Sequence, residues 1–137
     1  MPDRVPLSRV IEIAEFRASL RTFIRHSDRV AQAHGLTPQW HLLLLMIKGA
    51  PDGSERITVG DAAERLQLSA NSATELVNRV EEQGLLRRER SDEDGRVVTL
   101  ALTREGERRL NGVLGDLEAD RKELQRALDH LTKSFSG

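Results

Sequence analysis

The sequence of 137 residues predicts a mostly helical fold with one small β-hairpin, and three observations support that prediction. Long segments near both ends repeat apolar residues every three or four positions, which is the spacing of one face of a helix. Two short amphipathic segments lie between them, and each begins with a residue type that caps helices. Two runs of β-forming residues follow, separated by a polar turn at residues 91–95.

The amino-terminal third predicts two helices. The first spans about residues 8–34 and is followed by Gly35, a residue suited to the left-handed position after a helix. Thr37 and Pro38 then supply an N-cap and a first-turn proline for a second helix that ends near Lys48. Because this second helix is apolar around most of its circumference, we expect it to be buried.

The middle of the chain predicts two short helices joined by a tight turn. Thr58 opens a capping box at the start of the helix Val59–Leu66. Ser69 caps the following helix, Ala70–Gln83, which Gly84 terminates. Two such helices in succession form the pattern of a helix-turn-helix. The apolar stripe that the second helix turns toward the core consists of Ala73, Leu76, Val77 and Val80.

A β-hairpin is predicted directly after that second helix. Its strands are Leu86–Arg90 and Val97–Leu102, and Thr103 caps a helix that continues toward the carboxyl end. A hairpin in this position is the wing of a winged helix-turn-helix. Arg96 lies at its tip, where the guanidinium could enter the narrow minor groove of DNA.

A set of residues in and around the helix-turn-helix and the hairpin is specific in combination. It consists of Thr74, Arg79, Gly84, Leu85, Arg88, Asp94, Gly95, Arg96 and the segment Leu102–Gly106, with Leu36–Trp40 upstream. By these residues the sequence from Thr58 to Gly106 resembles the MarR family of transcription regulators. The resemblance implies that the helix before the wing lies in the major groove of DNA and that the wing arginine lies in the minor groove. It also implies that Asp94 holds Arg96 in place through an ion pair.

The outward face of the helix Ala70–Gln83 carries side chains that we expect to contact DNA. Asparagine can pair with adenine, arginine with guanine, and hydroxyl groups with phosphates or bases. Glu75 has two open roles, because it could accept from a cytosine amino group or pair with Arg79 on the next turn. A solvated helix face is the alternative interpretation. The predicted contact residues are Ser69, Asn71, Ser72, Thr74, Glu75, Asn78, Arg79 and Arg96.

The charge composition limits how this chain could hold DNA. The formal net charge is −1, so the whole molecule exerts no general attraction on a polyanion. Between Ser69 and Arg104, six arginines stand against seven acidic residues. We therefore expect modest affinity that depends on a dimer and on individually placed contacts rather than on bulk positive charge.

Leucines recur every seven residues along the carboxyl-terminal segment, a spacing typical of paired helices. Read as one continuous helix, this segment either pairs with a second chain or packs only on the first helix of its own chain. Relatives in the resembling family carry one more short helix at this end, for which the sequence shows no separate segment. The seam residues are Leu110, Leu114, Leu117, Leu124, Leu128 and Leu131, with Arg121 interrupting the second row.

We favour the paired arrangement, in which the chain forms a homodimer. A winged helix-turn-helix lobe at residues 37–103 would then carry the DNA contacts. The terminal helices, at residues 1–36 and 104–137, would form the dimerisation region. Two-fold symmetry of this kind suits an operator with two half-sites one helical turn apart.

The composition also excludes several classes of function. The chain has no cysteine, which excludes disulfides, thiolate chemistry and cysteine-rich zinc sites. Its four histidines are scattered, and no catalytic or phosphate-cradling motif is present, so we expect no metal, no cofactor and no enzymatic activity. Without a leader-like segment or an apolar run of membrane length, we expect a cytoplasmic location and no membrane contact.

Together these patterns predict a homodimeric transcription regulator, in the first instance a repressor, that recognises specific sequences in double-stranded DNA. In similar proteins, small aromatic or phenolic anions bind between the dimer helices and the DNA-binding lobe. Arg25, Trp40 and His41 could line such a site here. The alternative is a winged-helix module that binds proteins or small molecules and has weak or no DNA binding.

Overall fold

The computed structural model describes residues 3–90 and 95–136. Asp94, predicted to position the wing arginine, lies outside the described residues. The observed order confirms a mostly helical fold with one hairpin. The elements are α1 (Leu7–Ala33), α2 (Pro38–Lys48), α3 (Val59–Leu66), α4 (Ala70–Glu82), β1 (Leu86–Arg90), β2 (Val98–Leu102), α5 (Arg104–Asp116) and α6 (Glu118–Ser136).

Capping residues begin four of these helices, as predicted. In each case a side-chain oxygen accepts a hydrogen bond from the backbone N–H three residues later, at 3.0–3.1 Å. This contact satisfies one of the amide groups that the first turn of a helix leaves unpaired. The four capping residues are Thr37, Thr58, Ser69 and Thr103.

The end of α4 is closed by a left-handed turn at Gly84, which has a φ of 75°. The Leu85 N–H then reaches back to the Val80 carbonyl at 3.2 Å, and the Leu85 side chain is fully buried. This is the glycine-terminated helix end that the sequence predicts. This turn sets the direction in which the chain leaves α4 and enters β1, the first strand of the wing.

The two strands of the wing pair antiparallel. Leu86 lies opposite Leu102 and Arg90 lies opposite Val98, so β2 starts one residue later than predicted. On its other side β2 pairs with a single residue of the loop before α3, because the Ile57 and Leu100 backbones exchange hydrogen bonds of 2.7 and 3.3 Å. The hairpin is thereby fastened to the helical body at its base.

One apolar core joins the helices to the hairpin. It includes residues from both sides of the predicted lobe boundaries at 36/37 and 103/104, and Trp40 packs against it. Four of the eleven residues of α2 are buried, namely His41, Leu43, Leu44 and Ile47. Leu42 is 41% exposed, so the helix is buried on one side and not all round as its sequence predicts. The largest fully buried side chains are Leu36, Leu43, Leu44, Ile47, Val77, Val80, Leu85, Leu86, Leu100, Leu110, Val113 and Leu117.

The carboxyl-terminal segment forms two helices, so the prediction of one continuous helix is wrong. The chain leaves helical geometry at Leu117, between α5 and α6. The side chain of Arg121 turns back and donates to the Leu114 carbonyl at 2.6 Å, near the end of α5. Arg121 stands in place of a leucine because its side chain supplies a hydrogen-bond donor for a carbonyl group at the end of α5. The additional helix at the carboxyl end, for which the sequence showed no separate segment, is α6.

The long helix α1 packs along α6 and buries little of itself within one chain. His26 and Asp120 lie 2.8 Å apart, and His34 and Asp116 lie 2.7 Å apart, which joins α1 to the α5–α6 corner. Only Ala31 of α1 is fully buried. No helix in the described part of the chain is long and apolar enough to cross a membrane. Large apolar side chains of α1 that remain exposed are Leu7, Val10, Ile11, Ile13 and Ile24.

Candidate nucleic-acid interface

The helix α4 separates a buried side from an exposed side, as its periodicity predicts. Ala73, Leu76, Val77 and Val80 are buried against the core. The side chains predicted to contact DNA lie on the solvent-facing part of the same helix and its cap. They are Ser69, Asn71, Ser72, Thr74, Glu75, Asn78 and Arg79, and all of them are exposed.

Several of these exposed groups already have partners within the chain. The Ser69 and Ser72 hydroxyls lie 3.0 Å apart, so the cap and the first turn of α4 share one hydrogen-bonded pair. Asn78 accepts a hydrogen bond from Arg88 of β1 at 2.8 Å. By contrast, Asn71 and Thr74 have no side-chain hydrogen bond to any described residue.

The surroundings of Glu75 bear on its two predicted roles, which are contact with a cytosine amino group and an ion pair with Arg79. The pairing of Glu75 with Arg79 does not occur, because Arg79 makes no ion pair with any residue that the structure describes. Both side chains are exposed and point away from the core. Of the two roles of Glu75, contact with a cytosine amino group therefore stays a prediction. The Arg79 guanidinium is available to bind an external anion such as a phosphate group.

The wing carries its arginine beside a braced turn. Arg96 is exposed, two residues before β2 begins. On the opposite strand, Arg90 donates to the carbonyl oxygen of Gly95 at 2.8 Å, which ties the end of β1 to the residue before Arg96. The exposed face of α4 and the exposed Arg96 therefore belong to neighbouring parts of the chain, since β1 follows α4 directly and pairs with β2.

Ion pairs near the wing match two acids of this segment with arginines. Glu89 lies 2.6 Å from Arg56 and 2.8 Å from Arg87, and Glu81 pairs with Arg88. The Arg56 guanidinium, and then that of Arg87, hold the pKa of the Glu89 carboxyl below its ordinary value. Two of the seven acids counted in this segment are therefore paired. Two of the three arginines that pair with them belong to the six counted in the same segment, so only Arg56 adds a positive charge to that count.

The three residues predicted to line an effector site do not share one cavity. Arg25 lines an open groove along α1, together with Arg17, Arg21 and Arg29, and α1 alone supplies its lining. Trp40 and His41 are not among the lining residues, and Trp40 packs on the core instead. Among the residues that the structure describes, no cluster of three or more His, Asp or Glu side chains could hold a metal ion.

His41 is 5% exposed, and its Nδ1 atom has no hydrogen-bond partner among the residues that the structure describes. Burial lowers the pKa of this imidazole, and the nearby charge of Asp28 opposes the shift in part. An unfolded chain binds the proton more readily, because exposed histidine titrates at a pH of about 6.5. The stabilising contribution of neutral His41 is therefore complete above that pH and is lost as the pH falls.

We predict that His41→Gln makes the free energy of unfolding less sensitive to acidification than it is in the wild type. The measurement is urea unfolding at neutral pH and again at a pH below the ordinary pKa of histidine. His26→Gln is the matched control, because His26 is exposed and paired with Asp120. An identical pH dependence in His41→Gln and the wild type would contradict the prediction.

Comparison with known proteins agrees with this geometry. Residues 34–97 match the sequence model of the MarR family. The organic hydroperoxide resistance transcriptional regulator of Bacillus subtilis is 39% identical over 69 residues, which cover 50% of this chain and 44% of that protein. The chain spans about half the length of the curated relatives it matches.

Solved structures share the fold across nearly the whole chain. A MarR family protein from Bacillus stearothermophilus superposes with a TM-score of 0.76 at 20% identity, covering 98% of this chain and 100% of that one. A mutant MarR from E. coli complexed with operator DNA gives a TM-score of 0.65 at 19% identity, covering 96% and 94%. The central segment of the chain is thus similar to the MarR family, and the chain shares the winged-helix fold of these solved structures.

Proposed function

We propose that the chain regulates transcription as a homodimer, binding specific double-stranded DNA sequences in the cytoplasm and acting in the first instance as a repressor. The observation that carries the proposal is the exposed face of α4, which presents amide, hydroxyl and guanidinium groups beside a hairpin bearing Arg96. Such a helix fits the major groove, and an arginine on a wing fits the minor groove.

The fold of this chain also occurs in a MarR that was solved bound to operator DNA, which supports the same docking for α4 and the wing. Asp94, for which we propose the wing-positioning role, belongs to this arrangement by resemblance. Arg79 on α4 and Arg96 on the wing would supply charged contacts to the duplex. Asn71 would read a base edge, since its amide is exposed near the start of α4.

A homodimer is part of the proposal because one lobe offers few unpaired charges. Exposed apolar side chains near the start of α1 and Leu128 on α6 supply surface for an interface between two copies. Glu12 of α1 lies 3.7 Å from His130 of α6, so these two regions lie at the same end of the molecule. Two lobes held by one interface would engage two half-sites together.

A small aromatic or phenolic anion remains a candidate effector. Arg25 supports it through its place in the groove along α1, where Leu20 and Ile24 add apolar surface next to several guanidinium groups. Trp40 and His41 do not line this groove, so they would affect a bound ligand only indirectly, through the way α2 packs in the fold. A ligand in this groove would bear on the helices that we assign to the dimer, and through them on the spacing of the two lobes.

The deciding experiment is selection of bound sequences from a random duplex pool, followed by gel-shift titration of the enriched sequence (hereafter the selected duplex) and of its scrambled version. The region upstream of the protein's own coding sequence is tested beside them. Enrichment of a two-fold symmetric sequence is expected. If no sequence is enriched, the alternative function, a winged-helix module that binds protein or a small molecule, replaces DNA regulation.

Arg96→Ala is expected to weaken binding to the selected duplex without changing the melting temperature, because the side chain is exposed on the wing. The loss of one charge per subunit should reduce the slope of log affinity against log salt by about two units per dimer. Arg126→Ala, on an exposed position of α6, is the matched control. An unchanged affinity and slope would remove the wing from the mechanism.

A further inference from the structure

Arg88 joins the recognition helix to the wing. Its guanidinium donates to Glu81 through one nitrogen and to the Asn78 Oδ1 atom, at 2.8 Å, through another. Asn78 and Glu81 are three residues apart on α4, so both acceptors lie on the same side of that helix. Arg88 itself belongs to β1, so this fork bridges two elements that are separate in the chain.

The opposite face of β1 is held by a different set of contacts. Side chains alternate along a strand, so Arg87 and Glu89 project away from Arg88. Glu89 accepts from Arg56 of the loop before α3, at 2.6 Å. Arg87 donates to the Leu102 carbonyl of β2 at 2.6 Å, a bond within the hairpin. The hairpin is therefore tied to the rest of the chain on both faces, by Glu89 and Arg56 on one and by Arg88 and α4 on the other.

The bond to Arg88 also determines what Asn78 can do. A guanidinium group only donates hydrogen bonds, so the Asn78 atom that faces it must be the carbonyl oxygen. Bidentate recognition of adenine requires the amide oxygen and nitrogen of one side chain together. The bond from Arg88 occupies one of the two acceptor sites of the Asn78 oxygen and orients that oxygen toward the wing. Neither side-chain atom of Asn71 is bonded to a described residue.

We propose that Arg88, Asn78 and Glu81 form a clamp that sets the angle between the recognition helix and the wing, and that Asn71 is the amide that reads adenine. Asn78 and Arg88 are then positioning residues rather than base readers. This inference rests on the proposed DNA-binding function. It removes Asn78 from the set of base-reading side chains and concentrates adenine specificity near the start of α4.

The test compares one chemical change at two positions of the same helix. In Asn78→Asp the carboxylate can still accept from Arg88, so the affinity ratio between the selected and scrambled duplexes should stay within about threefold of the wild type. In Asn71→Asp the donor needed by adenine N7 is lost, and the same ratio should fall by about tenfold or more. A ratio is used because the added negative charge weakens binding to both duplexes alike.

Arg88→Met tests the coupling to the wing. It should lower affinity for the selected duplex and remove hydroxyl-radical protection in the minor groove while leaving major-groove protection of the bases in place. If the clamp acts through the wing, adding Arg88→Met to Arg96→Ala should lower the affinity for the selected duplex little further. If the two residues act independently, the losses in binding free energy should add. Circular dichroism and thermal unfolding confirm that each variant is folded.

Each result decides between distinct conclusions. If the wild type enriches no duplex, the DNA-binding function and the clamp fail together. If the wild type binds but Asn78→Asp lowers the specificity ratio as strongly as Asn71→Asp, then Asn78 reads a base and the clamp alone is wrong. Additive effects of Arg88→Met and Arg96→Ala would likewise overturn it. Should Arg88→Met fail to fold, the paired asparagine variants still decide whether Asn78 reads a base or positions the wing.

Discussion

Gly106→Ala is expected to lower the free energy of unfolding by about 3 kcal/mol, at the upper end of the range for overpacked sites. Gly106 lies in the first turn of α5 and is buried against the turn that ends α4. A Cβ atom added there would lie 2.0 Å from the Leu85 carbonyl oxygen and 3.0 Å from its carbonyl carbon. Both are backbone atoms, so no side-chain rotation can relieve the overlap.

The two backbone segments cannot easily separate. The Leu85 carbonyl accepts from the Thr103 N–H at 3.1 Å, and the Thr103 hydroxyl donates to the Gly84 carbonyl at 2.6 Å. The same hydroxyl caps α5 by accepting from the Gly106 N–H at 3.1 Å. Moving α5 away from Leu85 would therefore disturb the end of α4, the cap of α5 and the base of the wing at once.

Gly115→Ala is the matched control, because it makes the same change in the same helix. Apart from its chain neighbours and the backbone of its own helix, no described atom lies within 4 Å of the position that its Cβ would occupy. Alanine lowers the backbone entropy of the unfolded chain there, so stability should rise by roughly 0.5–1 kcal/mol. Urea unfolding of both variants should therefore move the midpoint in opposite directions, and a shift in the same direction would contradict the packing argument.

Helix starts were predictable from the sequence because capping is local. Thr37, Thr58, Ser69 and Thr103 each bond an amide three residues away, so the relevant partners are visible in a short window. The buried and exposed sides of α4 were predictable for a similar reason, since the period of a helix assigns its faces whatever it packs against.

The break at Leu117 was not predictable from the same patterns. Leucine recurs every seven residues through the break, so the repeat is continuous where the helix is not. Leu110 and Leu117 belong to the core of their own chain, whereas Leu128 is 42% exposed. The leucines of the two rows thus lie in two different environments. Arg121, which accommodates the change, acts through a backbone contact across the corner.

The contact between Asn78 and Arg88 could not be predicted from the sequence for a different reason. Asn78 and Arg88 are ten residues apart, and their contact depends on the angle at which Gly84 releases the chain into β1. The effector residues illustrate the same point, since Arg25 lies in a groove along α1 that neither Trp40 nor His41 lines. Contacts set by tertiary orientation require the folded structure.

Leu128→Glu is expected to convert the homodimer into a folded monomer. Leu128 lies on α6 and is 42% exposed in one chain, so a carboxylate there should leave the fold of that chain intact. In the dimer that we propose, the same carboxylate would be buried against apolar side chains without a partner, which is strongly destabilising. Sedimentation equilibrium measures the change in mass, and circular dichroism measures retention of the helices.

DNA binding should fall together with the dimer. A monomer engages one half-site at a time, so affinity for the selected duplex should drop by about a hundredfold or more as the linkage between lobes is lost. Arg126→Gln changes the net charge by the same amount from another face of α6 and should leave mass and affinity near the wild type. Leu117→Glu buries its charge in the core of its own chain, where Leu117 is 2% exposed, and should unfold the protein instead. A Leu128→Glu variant that stays dimeric would place the interface elsewhere on the molecule.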